Sequence, residues 1–228
     1  MRTIQKGPEP ATLQAFRAVP GTTYDGKDFT PVKQDVRAAL LRDQLTLCCY
    51  CLRRISSEER PHPTKRDAPP VIRMKVEHWK SQDSSPHLQL VWTNLLGACP
   101  GSEGSSPHRQ TCDTRKGKSA IALNPLDPAH IATLRCSSNG ILKSTDSHFQ
   151  EDIEQRLNLN DPILVEDRRV QIHRQLKQLQ AQYPTQKFPE GVLRRAIIDA
   201  ETVKDGKLPE HACVLRLWAR QHHPGSAP

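Results

Sequence analysis

Val71-Ile-Arg-Met-Lys-Val-Glu-His78 alternates apolar and charged residues, with Ile72, Met74 and Val76 on one face and Arg73, Lys75 and Glu77 on the other. A period of two is the signature of a strand with one buried face. This strand ends in an acidic residue and a histidine, followed by Trp79 and Lys80. Upstream, Arg60 to Pro70 holds four prolines among charged residues and reads as a surface loop. Before it, Asp35 to Leu47 carries Val36, Ala39, Leu40, Leu45 and Leu47 at near-helical spacing, which predicts a short helix ending where the cysteines begin. Residues 1–34, rich in Pro, Gly and Thr, read as an extended N-terminal arm.

The cysteines come next in the argument because apolar residues make up only 36% of the 228 and aromatics 4%, so burial needs help from a metal staple. Seven cysteines is an odd number. The start has no apolar leader, and no stretch approaches the roughly 18–20 apolar residues of a membrane span. A cytoplasmic, reducing location is therefore expected, and the spacing is read as metal chemistry before disulfides. Cys48-Cys49-Tyr50-Cys51 contains a C-x-x-C turn that can place two thiolates on one tetrahedral ion, and Cys99 and Cys112 can complete a structural Zn²⁺ site. The flexible Pro100–Thr111 stretch separates the second pair, which leaves Cys49 as a substitute ligand. A redox C-x-x-C would open a helix in a βαβ setting that is absent here. Cys136 and Cys213, among apolar neighbours, read as small buried hydrophobes.

Beyond about residue 145 the pattern turns helical. Phe149, Ile153 and Leu157, then Ile172, Leu176 and Leu179, then Val192, Ala196 and Ile197, then Val214, Leu215 and Trp218 predict three or four helices. The expected class is α+β: a small zinc-stapled domain over 35–145 and a helical C-terminal region over 146–228. A net charge of +8 and a pI near 9.3 favour a polyanionic partner, nucleic acid above all.

Taken in order, Lys75-Val76-Glu77-His78-Trp79-Lys80, then Trp92-Thr-Asn94-Leu95-Leu96-Gly-Ala-Cys99, then Cys112-Asp113-Thr114-Arg115-Lys116-Gly117 resemble the HNH, or ββα-metal, endonuclease signature. More narrowly, Met1-Arg-x-Ile-x-Lys-Gly-x-x-Pro10, the C-x-Y-C run and C-D-x-x-K-G look like the PtuB family, the HNH component of Septu-type and retron-associated anti-phage systems. The likeness runs from residue 1 to about 145, with Leu157-Asn-Leu-Asn160 a weaker match. It implies a ββα-metal core in which His78 is the general base and Asn94 orients the loop and imidazole. Glu77 and Asp113 would hold a catalytic Mg²⁺ or Mn²⁺, two carboxylates suiting a hard ion. The chain departs from common HNH enzymes in having Glu at 77 and Asp at 113. Lys80, Arg115, Lys116 and Lys118 are expected to clamp flanking phosphates. The resemblance further implies an ABC-type ATPase partner (PtuA-like) docked on the C-terminal helices, and a retron reverse transcriptase with its RNA–DNA product as a neighbour.

Each residue also has an ordinary reading. A histidine at a strand end is commonly a hydrogen-bonded surface group, Asn94 a turn residue, Asp113 a helix cap, and the basic cluster a solvated turn. Trp79 and Trp92 read as core. A zinc-stabilised nucleic-acid-binding adaptor without catalysis, or a purely structural subunit, therefore stands beside the nuclease.

Overall fold

The computed structural model describes residues 1–60, 71–184 and 188–223. Apart from Arg60, the proline-rich loop expected at 60–70 lies outside the described residues. The order of elements is α1 (Ala11–Arg17), α2 (Phe29–Asp43), β1 (Glu59–Arg60), β2 (Val71–Ile72), β3 (Lys75–His78), β4 (Leu95–Ala98) and α3 (Cys112–Lys116). There follow α4 (Pro128–Ala132), β5 (Leu134–Cys136), β6 (Leu142–Ser144), α5 (Ser147–Glu151), α6 (Pro162–Gln182), α7 (Glu190–Ala200) and α8 (Val214–His222). The molecule is thus α+β, its strands forming three antiparallel pairs among the described residues: β1–β2, β3–β4 and β5–β6.

The expected strand over Val71–His78 is two strands, broken at Arg73 and Met74. Met74 is buried, but Ile72 and Val76 are only half-buried, whereas Glu77 and His78 are both buried. Simple alternation fails at the strand's end because Glu77 points inward to polar partners, described below. β3 pairs with β4 in the register Lys75↔Ala98, Val76↔Gly97, Glu77↔Leu96 and His78↔Leu95. A side chain at Gly97 would press on Met74 and Ile55 at 2.9 and 3.0 Å. This close approach lets Gln44 take both backbone groups of Gly97, its Oε1 accepting at 2.6 Å and its Nε2 donating at 2.7 Å. Gln44 thereby completes one edge of β4 with hydrogen bonds that burial would otherwise leave unmade.

The N-terminal region is less extended than its composition predicts. Residues up to Pro10 form no regular element, but α1 follows, and α2 runs from Phe29 to Asp43 rather than from Asp35 to Leu47. Pro31 sits in the first turn of α2, where its missing N–H costs nothing, and Phe29 is buried there. The arm packs tightly: Met1 and Ile4 are buried, Trp92 Nε1 donates to the Gly7 carbonyl, and Lys6 donates to Leu95 O with its ammonium 3.1 Å from the centre of the Trp92 ring. That contact gives Trp92 a core role.

The C-terminal helices follow the expected spacings. α5 passes into a π-helical turn at Asp152–Arg156, where the fully buried Asp152 accepts from Ala122 N and Leu123 N and pairs with Arg156 at 2.8 Å. The β5–β6 hairpin was not anticipated; its strands have three residues each and α8 packs across β5. Cys136 and Cys213 are buried in this layer, as expected of small hydrophobes. Among the described residues no helix is long and apolar enough to cross a membrane.

Candidate functional site

The sulfur atoms of Cys48, Cys51, Cys99 and Cys112 all lie within 4.8 Å of one another, and all four residues are buried. The Cys51 and Cys99 sulfurs are 3.6 Å apart, close to the edge of about 3.8 Å expected for a tetrahedron of Zn–S bonds. Burial pushes the Cys48 thiol up, but hydrogen bonds from Cys112, Cys49, Cys51 and Cys99 outweigh it and hold the group well below its ordinary range. Four soft ligands converging in a closed space fit a structural zinc ion. Cys49, the substitute, lies outside this set; its N–H instead donates to Gly97 O at 2.9 Å and ties the cysteine turn to β4.

Local backbone chemistry brings the distant pair together. A side chain at Gly101, φ +56°, would meet the Thr111 carbonyl at 2.0 Å, and Thr111 N donates to Gly101 O at 2.9 Å. The Pro100–Thr111 loop is therefore pinched shut at its base, so Cys99 and Cys112 meet despite the intervening chain. Cys112 itself has φ +54°, and its N–H is held by Leu157 O at 2.9 Å. Asn158 anchors the same loop by donating to His108 O and Gln110 O, each at 3.0 Å.

A second cluster adjoins the thiols. Glu77 and His78 end β3, and Asp113 lies in the first turn of α3 beside Glu77. A cleft of about 230 Å³ runs along them, lined also by Tyr24, Asp83, Lys116 and Lys118. The Glu77 carboxylate is buried, and its Oε1 accepts from the Tyr50 hydroxyl at 2.7 Å and pairs with Lys116 Nζ at 2.8 Å. Burial and then Asp113 push the Glu77 carboxyl well above the usual range, while Lys116 opposes them. Asp113 has Lys75 Nζ at 3.7 Å.

His78 Nε2 lies 2.9 Å from the Gln89 carbonyl. A carbonyl only accepts, so Nε2 carries the proton and a neutral ring has its lone pair on Nδ1. Burial pushes this imidazole below its ordinary value, against the Gln89 bond. Tyr24 meets the ring edge-on with centroids 4.5 Å apart, and its backbone N–H is held by Gln89 Oε1 at 3.0 Å. Gln89 thus fixes both the histidine tautomer and the tyrosine that packs on it.

Asn94 spends its side-chain hydrogen bonds on its own loop rather than on the imidazole. Its Oδ1 accepts from Lys80 N at 2.8 Å and its Nδ2 donates to Lys80 O and Leu88 O at 3.0 and 3.2 Å. The side chain closes the loop from 79 to 94 that carries Gln89.

The four basic residues expected at phosphates have different fates. Lys116 is buried and donates to His78 O at 2.8 Å besides its pair with Glu77, so it is a member of the interior and not a surface clamp. Arg115 is half-buried and donates to Gln155 O and Pro107 O, both at 3.1 Å. Lys80 lies 4.3 Å from the centre of the Trp79 ring. Lys118 is exposed at the cleft rim, paired with Asp83.

Tyr50, Gln89 and Tyr24 were not singled out from the sequence. Tyr50 stood in view inside C-x-Y-C, but no spacing rule indicates that its hydroxyl reaches residue 77.

No protein-family profile matches the chain. It is similar to a curated protein of Vibrio cholerae serotype O1 biovar El Tor named "Retron Vc95 putative HNH endonuclease", with 25% identity over 167 residues that cover 69% of this chain and 73% of that protein.

Proposed function

We propose that this chain is a metal-dependent HNH endonuclease hydrolysing phosphodiester bonds of nucleic acid. The observation that carries the reading is the pairing of a buried histidine of fixed tautomer, His78, with two facing carboxylates, Glu77 and Asp113, on a strand pair and a short helix. Its likeness to a protein named as an HNH endonuclease supports it. In this reading β3, β4 and α3 are the ββα-metal core, and Cys48, Cys51, Cys99 and Cys112 hold the structural zinc.

His78 Nδ1 takes the proton of the attacking water. Gln89 O and the loop closed by Asn94 keep that nitrogen's lone pair available, which makes Asn94 a positioning residue. Glu77 and Asp113 offer the hard oxygen ligands that Mg²⁺ or Mn²⁺ prefers. Such an ion, when bound, neutralises charge on the leaving oxygen. Lys118 and Lys80, near the cleft, contact flanking phosphates.

The system-level part of the reading is anti-phage defence with an ABC-type ATPase of the PtuA kind, and with a retron reverse transcriptase and its RNA–DNA product as neighbours. Two features support a docked partner on the C-terminal helices: a groove of about 610 Å³ between α6 and α7, and the exposed apolar side chains Ile163, Val170 and Ile198.

The test is incubation with plasmid DNA and total RNA in Mg²⁺ or Mn²⁺, with and without a PtuA-like ATPase, alongside His78→Ala. Cleavage that falls about 10²- to 10⁴-fold in the variant is expected. The Glu77–Lys116 pair favours a second reading, since a carboxylate neutralised by a buried lysine also suits a zinc-stabilised binding protein. Metal-independent nucleic-acid binding with no cleavage under any condition would establish that alternative.

A further inference from the structure

The two metal-ligand clusters are joined by covalent adjacency on one side and by a hydrogen bond on the other. Asp113 follows Cys112 directly in the chain. Tyr50 stands between Cys48 and Cys51, and its hydroxyl donates to Glu77 Oε1 at 2.7 Å. Tyr50 is among the largest fully buried side chains, so its hydroxyl has no water to turn to and the bond to Glu77 is its compensation. Lys116 meets the same oxygen at 2.8 Å and reaches His78 O, closing the clamp from α3. Both donors converge on Oε1.

We propose that Tyr50 is a positioning residue through which the four-cysteine centre sets the orientation of Glu77, so that affinity of the cleft for a divalent cation depends on the thiol centre. The inference rests on the reading of Glu77 and Asp113 as ligands of such an ion. A ligand carboxylate held by one directed donor enters the bound geometry with its rotamer already chosen, and removing such an outer partner characteristically weakens metal binding by about 10- to 100-fold. Tyr50 can supply this restraint because Cys48 and Cys51 flank it. Its backbone is held by the cysteine turn, where Cys48 N donates to Arg53 O and Leu52 N to Cys48 O. The hydroxyl is thus aimed by the knuckle and not by packing alone.

The experiment uses the full chain loaded with zinc, comparing wild type, Tyr50→Phe and Glu77→Ala. Mn²⁺ affinity is read by electron paramagnetic resonance of the free ion, and zinc content by mass spectrometry of metals. Expected are a rise in the Mn²⁺ Kd of about 10- to 100-fold in Tyr50→Phe, with zinc content unchanged and a cooperative thermal transition retained, and loss of the site in Glu77→Ala. The proposal is overturned if Tyr50→Phe binds Mn²⁺ like wild type while Glu77→Ala does not. It is also overturned if Tyr50→Phe sheds zinc, for the hydroxyl then belongs to the folding of the knuckle. A wild type without a Mn²⁺ site, or a site indifferent to Glu77→Ala, instead sinks the nuclease reading of the cleft and this inference with it.

Discussion

The thiol centre and the carboxylate cleft share two short stretches of chain, around Cys48–Cys51 and Cys112–Asp113, and differ in almost everything else. The first gathers four soft ligands with none exposed, closed on all sides. The second brings two carboxylates to the wall of an open cleft and leaves one of them bound to an internal lysine. A structural ion needs a complete ligand set, whereas a reacting site must keep room for water and substrate. In the proposed reading the thiols are the framework and the cleft carries the chemistry, which predicts that damage travels from the thiols to the cleft but not back.

Cys112→Ser is the severest way to test that asymmetry. Structural zinc sites contribute folding energy directly, about 10–16 kcal/mol in small zinc peptides. The variant is expected to lose zinc and its cooperative thermal transition, and Asp113 loses its placement with Cys112. Retention of a wild-type melting curve at zero zinc content would break the comparison. The reverse change, Asp113→Asn, should abolish cleavage while zinc content and melting stay as in wild type.

Lys116→Met sharpens the account of the cleft. Removing one partner of a buried ion pair costs about 3–5 kcal/mol because the other is left uncompensated, and both Lys116 and Glu77 are almost wholly buried. Denaturant unfolding at neutral pH should show that loss. Adding Glu77→Gln should return part of it, since the stranded charge is then gone. A neutral single variant would mean that Glu77 is already protonated in the folded chain and the pair holds no charge.

Much of the thiol centre was readable in the sequence because cysteine side chains announce their chemistry: C-x-x-C and two further cysteines were enough to nominate all four. What could not be read was how Cys99 and Cys112 meet, which depends on the pinch of Gly101 against Thr111 and on Leu157 O holding Cys112, contacts between residues far apart in the chain. The amphipathic C-terminal helices were legible from their period. α1 and the β5–β6 hairpin were not, because seven residues with one buried leucine, and strands of three, are too short to show a period. In the cleft, Glu77, His78 and Asp113 stood out as ordered motifs, but Lys116 reads as one more charge in Arg115-Lys116-Gly117-Lys118. Only the fold separates the lysine turned inward from the one turned out.

Lys118 supplies the mildest and most specific test of that separation. It sits two residues beyond Lys116 and past Gly117, whose φ of +52° ends α3 and turns the chain outward. Its ammonium is exposed and paired with Asp83 across the cleft mouth. An exposed pair of this kind holds little stability because water and salt screen it, so Lys118→Ala should leave the melting curve untouched. Where the ammonium meets a backbone phosphate, its removal should weaken nucleic-acid binding evenly across sequences. The slope of log affinity against log salt should then become shallower by about one unit. A titration of binding at several salt concentrations measures both quantities. An unchanged slope would show that Lys118 stays with Asp83 when nucleic acid is bound. The grip would then have to come from Lys80 or from basic residues outside the cleft, and the path of the strand would have to be redrawn.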